Sequence, residues 1–162
     1  MNKPMTYKTA DLYDEYGDSL QVAEPLFNNY GGNGSFHGRA YTLKVFEDFL
    51  LIKHTVQQPG EQQVLVIDGG ASLRCALLGD KLAAIAVENN WSGVIINGCI
   101  RDAAEVSKLA VGVKALNTCP ARPTQLGEGQ KEIDVRFAGV TFSTGAYVYA
   151  DLDGVVVSET PC

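Results

Sequence analysis

Residues 63–102 read QVLVIDGGASLRCALLGDKLAAIAVENNWSGVIINGCIRD, and this stretch decides the fold. Its opening, Gln63 to Ile67, is a short apolar run that stops at Asp68-Gly69-Gly70, the pattern of a strand buried on both faces entering a sharp turn. Lys81 to Asn90 is Ala-rich, with Leu82, Ile85 and Ala86 at helical spacing. Gly93 then precedes a second apolar strand at Val94 to Ile96. Strand, helix and strand make a βαβ unit, so the centre of the chain is α/β with a parallel pair.

Working outward, Thr9 to Tyr16 predicts a short helix whose first turn the Thr9 hydroxyl would cap. Pro25 to Gly34 is turn-rich. Arg39 to Phe46 reads as a strand, and Glu47 to Gln58 as a helix with Phe49, Ile52 and Val56 on one face, ended by Pro59-Gly60. Beyond the centre, Val113 to Thr118, Ile133 to Phe142, Tyr147 to Ala150 and Val155 to Ser158 predict further strands, with a hairpin turn at Asp153-Gly154. The expectation is a single α/β domain over residues 1–162, with a central βαβ unit and additional antiparallel strands.

Composition narrows the function. Lys plus Arg number 13 against 19 Asp plus Glu, a net charge of −6 that repels phosphate backbones and argues against direct nucleic-acid binding. No segment approaches the roughly 18 apolar residues of a membrane span, and Met1 to Tyr13 hold no apolar run of signal-peptide length. The cytoplasm is the expected compartment. Cys75, Cys99, Cys119 and Cys162 match no CxxC spacing and are read as reduced thiols. With His37 and His54 the only histidines, chemistry has to rest on carboxylates and arginine.

Two segments carry such groups at the places where α/β sheets bind ligands. Leu78-Gly79-Asp80-Lys81 opens the central helix, and Asn97-Gly98-Cys99-Ile100-Arg101-Asp102 follows the next strand. The free N–H groups of the helix start, Gly79 to Leu82, suit an acid anion, Arg101 offers a planar fork for a carboxylate or enolate, and Asp102 offers oxygen to a hard cation. Each Asp also fits a plain helix cap, and Asp102 with Glu105 has capping-box spacing. Asp68 reads as a turn residue, Arg74 as a surface charge and His54 as a surface or packing histidine.

The chain as a whole resembles the family containing the regulator of ribonuclease E activity A and the class II 4-hydroxy-4-methyl-2-oxoglutarate aldolases. The resemblance is carried by Glu24-Pro25-Leu26-Phe27 with Gly31-Gly32, Phe46-Glu47-Asp48, Ile67-Asp68-Gly69-Gly70 and Ala76-Leu77-Leu78-Gly79-Asp80. It continues through Gly98 to Asp102, Phe137 to Phe142 and Tyr149 to Gly154. The aldolase branch is marked by an Asp, twenty intervening residues and then Arg-Asp, a spacing that Asp80 and Arg101-Asp102 keep.

That resemblance implies a layered β/β/α fold related to swivelling domains, assembling as a homotrimer. It implies a lyase in which Asp102 is the ligand of a divalent cation, Mg²⁺ or Mn²⁺, Arg101 and Asp80 serve catalysis, and Gly79, Asp80, Lys81, Leu82 and Arg101 hold a small 2-oxo acid. The expected reaction is aldol cleavage to pyruvate, with oxaloacetate decarboxylation as a second outlet of one enolate. The family's other branch implies a different role, inhibition of ribonuclease E through protein–protein contact, which an acidic surface would favour.

Overall fold

The computed structural model describes residues 6–162. Met1–Met5, part of the N-terminal stretch read above for a leader, lie outside the described residues. In chain order the elements are helix α1 (Thr9–Tyr16), strands β1 (Gln21–Val22), β2 (Asn28–Asn29) and β3 (Phe36–Lys44), helix α2 (Leu50–Val56), strands β4 (Val64–Asp68) and β5 (Ala76–Leu78), and helix α3 (Asp80–Glu88). Strand β6 (Gly93–Ile100), helix α4 (Ala103–Val106) and strands β7 (Gly112–Thr118), β8 (Gln130–Lys131), β9 (Val135–Phe137), β10 (Val140–Phe142), β11 (Tyr147–Asp151) and β12 (Gly154–Ser158) follow.

Strands β3, β4, β6 and β7 run parallel and side by side, with β5 parallel to the end of β6. Antiparallel strands extend this block on both sides, giving the order β1-β12-β11-β3-β4-β6-β7-β2. The predicted βαβ unit is therefore real. It carries one insertion: β5, in the stretch between Gly70 and Lys81, pairs Ala76 with Cys99 and Leu78 with Ile100 before α3 begins.

Alternation along the central strands shows why the architecture has three layers. On β4, Leu65 and Ile67 join a core with Ile52 and Val56 of α2 and Leu82, Ala83 and Ala86 of α3. Val64 and Val66 point the other way, into a second core with Val135, Phe137, Val140 and Phe142 of the β9–β10 hairpin. Side chains on a strand alternate faces, so a strand with every residue buried needs a layer on each side. At roughly 2 kcal/mol per fully buried aliphatic side chain, neither layer is dispensable. The observed β/β/α layering agrees with the expected fold class. Among the described residues no helix is long and apolar enough to cross a membrane.

One local feature fixes strand spacing. Gly93 and Gly112 face each other across β6 and β7, and a Cβ on either would run into the Phe36 ring. The two glycines together make the slot this ring occupies.

Several sequence expectations shift. The strand read at Val94 to Ile96 runs on to Ile100, so Asn97 to Ile100 belong to it and only Arg101-Asp102 lie beyond its end. Ile133 to Phe142 is a hairpin turning at Ala138-Gly139, where both residues have positive φ. Asp151 pairs with Gly154, which moves the second hairpin turn to Leu152-Asp153. The helix expected from Glu47 starts at Leu50.

Thr9 does not cap α1. The residue before the helix is Lys8, with no side-chain cap, while the Thr9 backbone N–H and hydroxyl donate to Asp151 at 2.8 and 2.7 Å. Burial opposes charge on Asp151, but hydrogen bonds from Thr9 and from the Asp153 and Gly154 amides outweigh it and hold the carboxyl below its ordinary pKa. A depressed carboxyl stabilises the fold above the unfolded pKa and loses that contribution as pH falls through the folded one. Asp151→Asn is therefore expected to lower unfolding free energy by about 1–3 kcal/mol near neutral pH, with the gap closing under acid. Urea denaturation across a pH series measures this, and a gap that stays constant into acid would refute it.

Candidate active site

A cleft of about 690 Å³ opens where β5 ends and α3 begins, and all the residues predicted for the site line it: Gly79, Asp80, Lys81, Leu82, Arg101 and Asp102. The geometry follows from the parallel block. Leu78 pairs with Ile100, and the Arg101 N–H donates to the Leu78 carbonyl at 2.9 Å, so the start of α3 and the end of β6 emerge side by side. This is the carboxyl edge of parallel strands, where crevices form.

Asp102 is the pivot. Its backbone sits in the left-handed region (φ 57°, ψ 40°), a conformation Asp tolerates better than most residues. No side chain caps the short α4, so the capping-box alternative is not what Asp102 does, and Glu105 instead reaches Lys108 at 3.6 Å. The Asp102 Oδ2 accepts the Asp80 backbone N–H at 3.1 Å, bridging the two site segments. Gly79 leaves room for that bridge, because a Cβ there would lie 2.7 Å from the same oxygen.

The remaining groups stand ready for a ligand. Gly79 has no side chain to cap α3 and Asp102 takes only the Asp80 N–H, so the first-turn N–H groups of Lys81 and Leu82 have no partner in the helix. Among the described residues Arg101 makes one long hydrogen bond, Nη1 to the Pro120 carbonyl at 3.4 Å, and no ion pair. Asp80 makes no side-chain hydrogen bond or ion pair among the described residues.

Sequence reading missed part of the lining. Phe49 and Lys53 come from the start of α2, and Arg122, Pro123 and Gln125 from the segment after β7. No local pattern marks them, since they reach the cleft only through the packing of α2 and of that segment across the sheet. Lys53, Lys81, Arg101 and Arg122 outnumber Asp80 and Asp102 in the lining, so an acidic chain carries a cationic cleft. Such a cleft concentrates small anions.

Other singled-out residues lie elsewhere. Asp68 accepts the Gly70 N–H and the Asn97 side-chain amide, both at 3.0 Å, which makes it a turn anchor. Arg74 pairs with Glu47 at 2.7 Å on the surface. His37 stacks on Tyr149, and His54 lies on the exposed side of α2 away from the cleft. Burial pushes the Cys99 thiol up, away from reactivity.

No group of three or more His, Cys, Asp or Glu side chains capable of holding a metal occurs among the described residues. What the cleft offers is one carboxylate, Asp102, with Oδ1 unshared and Asp80 as neighbour. That set fits a hard ion such as Mg²⁺, which takes one or two carboxylates and fills its other positions with water and substrate oxygen. It does not fit zinc, which requires three or four nitrogen and sulfur donors.

The chain is similar to known proteins along nearly its whole length. The family model for RraA-like proteins, described as aldolase/RraA, matches residues 9–157. A protein of Dechloromonas aromatica, provisionally named 4-hydroxy-4-methyl-2-oxoglutarate aldolase, is 50% identical over 95% of this chain and 97% of its own. A crystal structure described as an S-adenosylmethionine:2-dimethylmenaquinone methyltransferase from Geobacillus kaustophilus is 48% identical, with 96% of each chain covered and a TM-score of 0.92. The RNA-processing inhibitor RraA from Thermus thermophilis is 37% identical over 98% of this chain and 96% of its own, with a TM-score of 0.94.

The Gly79 backbone is extended (φ −130°), so alanine suits its conformation and fails only by crowding Asp102. Gly79→Ala is expected to weaken Mn²⁺ binding at least about tenfold while moving the melting temperature by less than about 4 °C. Titration followed by electron paramagnetic resonance, alongside a thermal melt, measures both. Unchanged Mn²⁺ affinity would refute Asp102 as a cation ligand.

Proposed function

The chain belongs to the RraA-like family, and we propose that it is a divalent-metal-dependent lyase that cleaves 4-hydroxy-4-methyl-2-oxoglutarate to pyruvate. The observation that carries this reading is the convergence of Asp80, Arg101 and Asp102 with the open Lys81 and Leu82 N–H groups of a helix start in one cationic cleft. The substrate is a 2-oxo diacid, a dianion matched to that charge. The names of the curated relatives point the same way.

In this mechanism the N–H groups of Lys81 and Leu82 hold the carboxylate next to the 2-oxo group. Asp102 would hold Mg²⁺ or Mn²⁺, and the ion would supply Lewis-acid polarisation to the 2-oxo group. Asp80 takes the proton of the 4-hydroxyl through a water, the C3–C4 bond breaks, and its electron pair enters the pyruvate enolate while C4 becomes the keto carbon of a second pyruvate. Arg101 stabilises the developing enolate charge, an effect worth on the order of 3 kcal/mol for one preorganised contact. Protonation at C3 completes the first pyruvate. Oxaloacetate reaches the same enolate by losing CO₂, so decarboxylation belongs to the proposal. So do assembly as a homotrimer and action in the cytoplasm.

The methyltransferase named for the Geobacillus protein would use a sulfonium cosubstrate, a cation that the excess of Lys and Arg in this cleft opposes. A second reading, inhibition of ribonuclease E by protein contact, is favoured by the close fold match to the Thermus inhibitor and by the acidic surface. It calls for salt-sensitive binding that survives Asp102→Ala.

Pyruvate release from 4-hydroxy-4-methyl-2-oxoglutarate and from oxaloacetate, with Mg²⁺ and with chelator, tests the lyase. Turnover is expected to need the metal, to fall at least about a thousandfold in Asp102→Ala and about a hundredfold or more in Arg101→Ala. Folded wild-type protein without turnover would discard the lyase and leave the inhibitor reading.

A further inference from the structure

Phe46-Glu47-Asp48 carries part of the family resemblance yet has no place in the mechanism above. Asp48 is 2% exposed and forms no ion pair among the described residues, an arrangement a carboxylate tolerates only when hydrogen bonds replace its hydration. Backbone amides supply them. Oδ2 accepts the N–H groups of Leu126, Gly127 and Glu128 at 2.9, 2.9 and 3.3 Å, and Oδ1 accepts that of Leu50 at 3.0 Å. Around it, the Thr124 N–H and hydroxyl both donate to the Glu47 carbonyl, at 2.8 and 2.9 Å, and the Phe49 N–H donates to the Thr124 carbonyl at 3.1 Å.

The segments joined here are the two that line the cleft besides β5, α3 and Arg101-Asp102. One begins α2 and delivers Phe49 and Lys53, the other delivers Arg122, Pro123 and Gln125. Arg122 has no ion pair or hydrogen bond of its own among the described residues, so its place over the cleft is set by its backbone alone. The Ala121 carbonyl, bonded to the Ala76 N–H at 2.9 Å, secures one side of it, and the Asp48 carboxylate secures the other.

We infer that Asp48 is a positioning residue, whose buried carboxylate sets the 121–128 segment so that Arg122 meets the distal carboxylate of a 2-oxo diacid. This rests on the lyase reading above and adds to it a division of labour. The helix start and Arg101 take the pyruvate half of the substrate, while Arg122 takes the half that pyruvate lacks.

Asp48→Asn tests it, because the amide would turn an N–H donor toward backbone N–H donors. The expected result is a KM for 4-hydroxy-4-methyl-2-oxoglutarate raised about tenfold with kcat within about twofold, and inhibition by pyruvate unchanged. In an Arg122→Ala background the same substitution should change KM less than about twofold, since its effect runs through the missing guanidinium. Gly127→Ala is the companion variant if Asp48→Asn fails to fold. Gly127 is exposed at φ +83°, so alanine strains the segment while leaving the buried charge in place, and the same coupled KM effect is expected. Effects that multiply independently of Arg122, or that weaken pyruvate equally, would overturn the role of Asp48 alone. Absence of wild-type turnover would overturn the lyase and this role together.

Discussion

Strand β4 has no exposed residue, and much of the molecule answers to that constraint. A strand apolar on both faces cannot sit at a surface, so the chain has to supply a helical layer for Leu65 and Ile67 and a second β layer for Val64 and Val66. It also needs hydrogen-bonding neighbours on both edges, which β3 and β6 provide in parallel register. Parallel neighbours require crossovers, and the crossover from β4 to β6 brings the α3 N-terminus to the carboxyl ends of the strands. The site is a by-product of burying β4.

What the crossover delivers is two segments with complementary needs. A helix start has orphan N–H donors, and a strand end followed by a left-handed residue has a free carboxylate. Asp102 accepts one of those donors, from Asp80, and the rest stay open to the cleft. A side chain at position 79 would block this meeting, which explains a glycine at a position whose φ makes no demand for one. The aspartate thus acts as an inter-segment clamp whose second oxygen remains available, a stronger arrangement for metal chemistry than a carboxylate free to rotate in solvent.

The central βαβ unit and both site segments were legible because their signals are local: an apolar run ended by Asp-Gly-Gly, helical spacing from Leu82 to Ala86, and Arg101-Asp102 after a strand. Residue chemistry alone left Asp102 between cap and ligand, and its contact with the Asp80 N–H, a partner 22 residues away, has no local signal. The failures were non-local. Short strands such as β5 have no periodicity of their own and exist because β6 has an edge to pair with. Thr9 looked like a cap because its true partner, Asp151, is 142 residues away. Lys53, Arg122 and Gln125 reach the cleft from separate parts of the chain, and nothing in their neighbourhoods announces it.

Charge shows the same separation of local from global. The net charge of −6 describes the surface at long range, where screening leaves about 8–10 Å of reach at ordinary salt. Inside the cleft a substrate meets Lys53, Lys81, Arg101 and Arg122 at closer range than the acids of the outer surface, and the near field decides binding. An acidic exterior is then no obstacle to an anionic substrate. It opposes adsorption of polyanions such as nucleic acid, while the lining of the cleft carries the opposite sign of charge and favours small anions.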